Sequence, residues 1–379
     1  MKSFNHKPGV LQVLPSLISG GVERGTIEIA NHLVANNFRS YVASAGGVML
    51  AGVYHGGSKH FLLPLASKNP ITILKNAKSL CELIVDNEID IIHARSRAPA
   101  WSAYFAAKMA KKKFITTFHG IYNINNFLKK YYNSIMTKGE KVIAVSNFTA
   151  NHIIENYEIN HDKIKIIHRG VNMDYFNPEN VSQERVIQIA NKLHVQVDRP
   201  IIILPGRLTR WKGHKFLLES LKLLTPGSFY CLIVGDDKAH NSYRKELENI
   251  IKTSNLSKDV AIIGNVTDMA ALYMLADIII SASIEPEAFG RVVAEAQAMG
   301  RSVIATNIGG ACETIIDGKT GWLVEPCDAE QLASTIKHVL NVSLEERKNR
   351  ANTLRQHIID NFSENAMCSK TLELYHSLL

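Results

Sequence analysis

A chain of 379 residues, 46% apolar and 21% charged, exceeds one ordinary core and reads as a globular protein of two domains. No run approaches the roughly 18 apolar residues of a membrane span. The apolar stretch 10–14 behind Lys2 and Lys7 is too short for a secretory signal, and five scattered cysteines without a CxxC pair read as incidental thiols of a reducing cytoplasm. The net charge of +8 is uneven: residues 1–180 hold 21 Lys and Arg against 12 Asp and Glu, and the remainder 22 against 23. The excess lies in a stripe from Lys108 through Lys111, Lys112 and Lys113 to Lys129, Lys130 and Lys141, interleaved with Tyr122, Phe127, Leu128, Tyr131 and Tyr132. No nucleic-acid motif accompanies it, which leaves an anionic membrane surface or a solvated face.

In chain order, 10–14 is a strand leading through Ser19, Gly20, Gly21 and Gly25 into a helix that runs to Val34. The glycines permit positive φ and close approach to a ligand, but the G-x-G-x-x-G fingerprint is absent, which argues against NAD. Strands at 41–45 and 61–65 precede a helix at 71–85. The buried strand 89–93 precedes an Ala-rich helix at 101–110, and strand 114–118 ends at His119-Gly120. Helix 127–136, strand 141–145, helix 149–157 and strand 163–167 continue the alternation, which argues for a doubly wound parallel sheet. A helical run at 184–193, bounded by Pro178 and Pro200, separates an N-terminal domain, 1–178, from a C-terminal one, 179–379.

The second half repeats the rhythm. Strand 201–204 leads into the loop GRLTRWKGH, residues 206–214, then helix 216–224; strand 230–234 ends at Gly235-Asp236-Asp237. Strand 261–264, a short helix at 270–275 and strand 277–282 lead into PEAFGRVVAEAQAMG, residues 286–300, followed by strand 303–306. Helices are expected at 329–340, 344–360 and 364–378; the last can return to the first domain. Gly318-Lys319-Thr320 lacks the earlier glycine of a phosphate-binding loop, and neither Asp236-Asp237 nor any His/Cys group has metal-ligand spacing.

Ligands of open α/β sheets bind beyond the carboxyl ends of the strands, where Gly20, Gly21, His119, Arg207, Lys212, Glu287 and Glu295 all fall. Arg207 and Lys212, in a loop closed by Gly213, suit a diphosphate: one a planar fork, the other a point charge. Glu287 lies in a strand-to-helix loop and Glu295 on the helix behind it. Backbone N–H groups from about Phe289 onward favour an anion. Glu295 can accept from a ribose diol. Each of these residues can also be an ordinary surface or structural one; their joint position carries the functional reading.

Together these motifs resemble the family-4 retaining glycosyltransferases of the GT-B fold, over nearly the whole chain. The E-x7-E pair Glu287 and Glu295, the GRLTRWKGH loop, Gly20-Gly21, HRGVNMDYF at 168–176 and IGGACETI at 308–315 carry the resemblance. Arg169 stands where the family has Asn, and Asn172 where it has Asp. The resemblance implies two Rossmann-like α/β domains facing a cleft, with the acceptor on the N-terminal domain and a nucleotide-diphosphate sugar on the C-terminal one. Arg207 and Lys212 would hold the diphosphate, Glu295 the ribose, and Glu287 with the N–H groups of Ala288, Phe289 and Gly290 the donor sugar. His119 would meet sugar hydroxyls, and Gly20 and Gly21 would let the chain approach the phosphates. Neither a cofactor nor a metal is expected, since two cations and a helix N-terminus can stabilise the leaving group.

The expected reaction is transfer of a hexose-type sugar, with retention, to a hydroxyl of a glycan or glycolipid such as a lipopolysaccharide precursor. The expected location is cytoplasmic, with peripheral contact on the inner face of the membrane left open. Arg95 and Arg97 are candidates to meet an anionic acceptor. The alternatives are a nucleotide-sugar epimerase of the same fold and a non-catalytic sugar-nucleotide-binding protein.

Overall fold

The computed structural model describes residues 7–18, 20–235 and 241–379, with the side chain of residue 241 left aside. Ser19, Asp236 and Asp237, singled out above, lie outside them, as does Lys2. The chain divides into two compact units, 1–170 with 364–379, and 171–363.

The first unit is built on seven parallel strands: β1 Gly9–Val13, β2 Arg39–Ser44, β3 Lys59–Leu62, β4 Ile91–Ala94, β5 Lys113–Phe118, β6 Lys141–Ala144 and β7 Ile164–Ile166. Their order is β3-β2-β1-β4-β5-β6-β7. Most are short apolar runs because a parallel sheet covered on both faces hides nearly every side chain. In β1, alternation sends Leu11 and Val13 to one core and Val10 to the other. The first core is filled by alanines of the helix Arg97–Ala110. The second is closed by Met367, Leu374 and Tyr375 of the helix Glu364–Leu378, which therefore belongs to this unit. Helix starts are fixed locally. Asn69 accepts from the backbone of Ile71 and Thr72 ahead of a helix with Pro70 in its first turn, and Ser146 accepts from Thr149.

The second unit carries six parallel strands: β8 Ile201–Pro205, β9 Tyr230–Val234, β10 Val260–Ile263, β11 Ile278–Ser281, β12 Ser302–Thr306 and β13 Trp322–Val324. Their order is β10-β9-β8-β11-β12-β13. Both sheets reverse direction of growth between a first and a fourth strand, β1 with β4 and β8 with β11. That reversal opens a crevice at the carboxyl end of the sheet.

The alternation of strand and helix matches the sequence reading, with three additions. The helix Asn241–Thr253 was not anticipated; its Tyr243, Leu247 and Ile251, spaced by four, are its buried stripe in a charged segment. The short helix Leu50–His55 and the three-residue β13 offer too few positions for a period to show.

Candidate functional site

In the second unit, the loops after β8 and β11 flank the reversal point. The β8 loop carries Arg207 and Lys212, and the β11 loop carries Glu287. Arg207 is exposed. Lys212 lies with its Nζ 4.4 Å over the Trp211 ring and donates to Glu287 Oε1 at 2.6 Å. The Ser283 hydroxyl donates to the same oxygen at 2.6 Å. Both charged side chains are largely buried, 12% and 15% exposed, so each neutralises a charge that would otherwise be costly to desolvate. Among the described residues these side-chain bonds all fall on Oε1, which leaves Oε2 its lone pairs for a ligand.

Glu287 is also fixed through its backbone. Its carbonyl accepts from the N–H of Gly310 at 2.7 Å, and it forms an isolated bridge with Gly309. Gly309 has φ +72°, and a Cβ there would lie 2.7 Å from both the N and O of Glu287. Only glycine lets the IGGACETI segment close this tightly on the acid. Gly290 caps the helix Arg291–Ala298, while Phe289 is buried and packs on Phe362 with ring centroids 5.9 Å apart.

Glu295 sits in the second turn of that helix and is buried, 8% exposed. Tyr273 donates to its Oε2 at 3.1 Å, and Arg291 donates to its Oε1 at 3.3 Å. Burial, followed by the Glu295 charge, raises the Tyr273 hydroxyl well above its ordinary pKa, so it stays a donor. Tyr273 had no sequence signal; it comes from the helix Met269–Leu275, and only the fold brings it to the acid. His214, next to the lysine loop, is fully buried; desolvation and then Lys212 pull its pKa to about 4.

In the first unit, Gly20 has φ +124° and stands at the N-terminus of the helix Gly21–Ala35, a conformation that favours glycine. Arg169 donates to the Gly21 carbonyl and, through Nη1, to His119 Nδ1 at 3.1 Å. A guanidinium has only donors, so Nδ1 must be the acceptor and the ring proton sits on Nε2. That Nε2 is buried and has no partner. Burial, then Arg95, Arg169 and His93, holds the ring well below the usual imidazolium range. The result is a neutral imidazole with one N–H unspent. Arg169, where the family has Asn, is the residue that sequence comparison alone left without a role.

Arg95 and Arg97 part company. Arg95 is 2% exposed, its Nε is unpartnered, and burial lowers its pKa. It belongs to the cluster beneath His119, where His93 is bonded at 2.7 Å to both Tyr375 Oη and Thr117 Oγ1. Arg97 instead lines a surface cavity. Among the described residues, no group of three His, Cys, Asp or Glu could hold a metal ion, and no helix is long and apolar enough to cross a membrane.

These features define an α/β protein of two doubly wound units, each with polar side chains gathered at the reversal point of its sheet. Two family models match the chain in tandem: Glycosyltransferase Family 4 over residues 19–175 and Glycosyl transferases group 1 over residues 186–357. The crystal structure of a glycosyltransferase from Rickettsia africae ESF-5 is 48% identical, with 99% of each chain covered and a TM-score of 0.92. The chain belongs to the family-4, group 1 glycosyltransferases, and its fold class is GT-B. The capsular polysaccharide biosynthesis glycosyltransferase CapM of Staphylococcus aureus is 26% identical over 63% of this chain and 62% of its own length. The Anabaena protein HepE, crystallised with UDP and glucose, is 22% identical with a TM-score of 0.82 over 98% and 100% of the two chains, a likeness of fold. Alignments with eight curated relatives span from 42% to 80% of those proteins' lengths.

Proposed function

We propose that the protein transfers a hexose-type sugar from a nucleoside-diphosphate sugar to an acceptor hydroxyl, with retention at the anomeric carbon and without a metal. The observation that carries this reading is the joined pair Lys212 and Glu287, with Glu295 on the helix behind it, at the reversal point of the second sheet. Arg207 and Lys212 stabilise the charge that develops on the departing diphosphate. Glu295, held by Tyr273 and Arg291, receives the ribose hydroxyls, and the free oxygen of Glu287 orients the sugar with the backbone of Ala288, Phe289 and Gly290. On the first unit, the Nε2–H of neutral His119 donates to a sugar oxygen, and Gly20 and Gly21 give the phosphates backbone access. Retention is the stereochemical course implied by the family resemblance.

The acceptor is a glycan or glycolipid of the cell envelope, a reading supported by the capsular-polysaccharide relative. Peripheral contact with an anionic membrane is supported by Phe127, Leu128 and Tyr131, 79%, 75% and 60% exposed beside Lys129 and Lys130. The test is release of nucleoside diphosphate from a panel of nucleotide-sugars, UDP-glucose first, with and without glycan acceptors. Acceptor-dependent release with an unchanged anomeric configuration supports transfer. Conversion of the sugar without an acceptor sinks it in favour of an epimerase, and binding without turnover in favour of a non-catalytic protein.

A further inference from the structure

We propose that a cavity at the carboxyl end of the first sheet is an anion-binding subsite, built for a phosphate-type group on the acceptor. The cavity measures about 470 Å³ and is lined by Lys68, Ser96, Arg97, Asn123, Lys129 and Tyr132 among others. Its volume falls within the range of about 300–1,000 Å³ usual for small-molecule sites. Its walls come from segments that follow β1, β3, β4 and β5, the end of the sheet where ligands of this architecture bind.

Three cations and no acid line this cavity. Elsewhere in the unit three lysines of the basic stripe are spent locally: Lys112 on Asp90 at 3.1 Å, Lys113 on Glu140 at 2.8 Å, and Lys141 on the Asp162 carbonyl at 2.8 Å. Among the described residues, Lys68, Arg97 and Lys129 have no acidic partner. Arg97 is nevertheless held in place. Its Nη1 donates to Asn133 Oδ1 at 2.8 Å, its guanidinium lies 4.2 Å over the Tyr122 ring, and Asn133 is itself anchored on the Asn123 carbonyl at 3.1 Å. Burial raises the Tyr122 hydroxyl above its usual range, so it supplies no counter-charge.

A planar fork fixed by neutral groups, with its charge uncompensated, is the arrangement that recognises phosphate or carboxylate in two-pronged fashion. Tyr132, in the same wall, carries a buried hydroxyl with no hydrogen-bond partner. Reading that anion as part of the acceptor rests on the transferase reading above; the anion site itself does not. A lipid headgroup and a soluble phosphorylated saccharide offer the same chemistry.

The test is calorimetric titration of the full-length chain with inorganic phosphate at low ionic strength. Phosphate is expected to bind the unmodified protein at a site that persists in Arg207→Ala, a change confined to the proposed donor site. Arg97→Gln should weaken that binding about tenfold, and Lys129→Gln about threefold. No phosphate binding, or binding lost in Arg207→Ala and unchanged in Arg97→Gln, overturns the site. Lys129 is exposed, so its variant keeps the test readable if Arg97→Gln, which gives up its stacking on Tyr122, fails to fold. Sedimentation with phosphatidylglycerol vesicles separates the sources. Vesicle binding that phosphate displaces and Arg97→Gln weakens assigns a headgroup; phosphate binding without vesicle binding assigns a soluble ligand. A missing phosphate site with acceptor-dependent nucleotide release intact removes this proposal alone; the converse removes the transferase reading alone.

Discussion

The two units solve the problem of charge at a ligand site in opposite ways. In the second, charges are matched within the protein: Lys212 with Glu287, and Arg291 and Tyr273 with Glu295. In the first, donors are left over: the Nε2–H of His119, the buried Arg95, and Arg97, Lys68 and Lys129, which have no acidic partner among the described residues. Matched charges are pre-oriented at little desolvation cost, and a ligand enters by sharing their remaining lone pairs and protons. Unmatched donors favour a ligand that brings its own negative charge or hydroxyl oxygens. The difference teaches that the net charge of +9 in residues 1–180 is not simple surface solvation, because part of it faces a cavity without acids.

The sharpest way to break this contrast is Lys212→Ala. It removes charge stabilisation of the leaving group and strands the Glu287 carboxylate, and should lower kcat by about 10²-fold or more in steady-state assays. Arg207→Ala, at an exposed position, should lower kcat similarly with little change in melting temperature. Equal loss of stability in both variants would contradict the matched-pair account. Gly309→Ala should destabilise the second unit by about 1–3 kcal/mol in chemical denaturation, because it combines a positive φ with a clash on the Glu287 backbone.

Acidification probes the buried histidines. His214 titrates at about 4 when folded and near the ordinary imidazole value of 6.5 when unfolded, so the unfolded chain binds the extra proton. The stability it contributes is intact above about pH 6.5 and lost as pH falls toward 4, amounting to about 2 kcal/mol by pH 5. His93 and His119 act in the same direction, since burial lowers both. Melting temperature should therefore drop between pH 7 and pH 5, and less so in His214→Leu than in the unmodified chain. The smallest expected effect is that of Tyr273→Phe, which removes one donor from Glu295 and should weaken donor binding about tenfold or less with kcat nearly unchanged. A fall in kcat instead would move Glu295 from binding into the chemistry.

Much of the fold was legible because parallel strands buried on both faces are apolar runs, and β4, β8 and β11 each stand out as one. The motif residues were legible too, since loops at strand ends carry glycine and charge in unusual density. Their pairing was not. Lys212 and Glu287 are 75 residues apart, His119 and Arg169 50, and His93 and Tyr375 282. Such contacts follow from strand order, which no local pattern reveals. Arg95 and Arg97 look equivalent in sequence, yet one lies under the sheet end and the other lines a cavity, a separation of two positions at the strand-to-helix turn.

The central claim is that the unit spanning 171–363 binds a nucleotide-sugar through its matched acids. A thermal-shift panel of UDP-, GDP- and ADP-sugars on the unmodified chain and on Glu295→Ala tests it most directly. The account predicts that at least one nucleotide-sugar raises the melting temperature and that Glu295→Ala abolishes most of that shift. No shift with any donor, or a shift indifferent to Glu295, would contradict it.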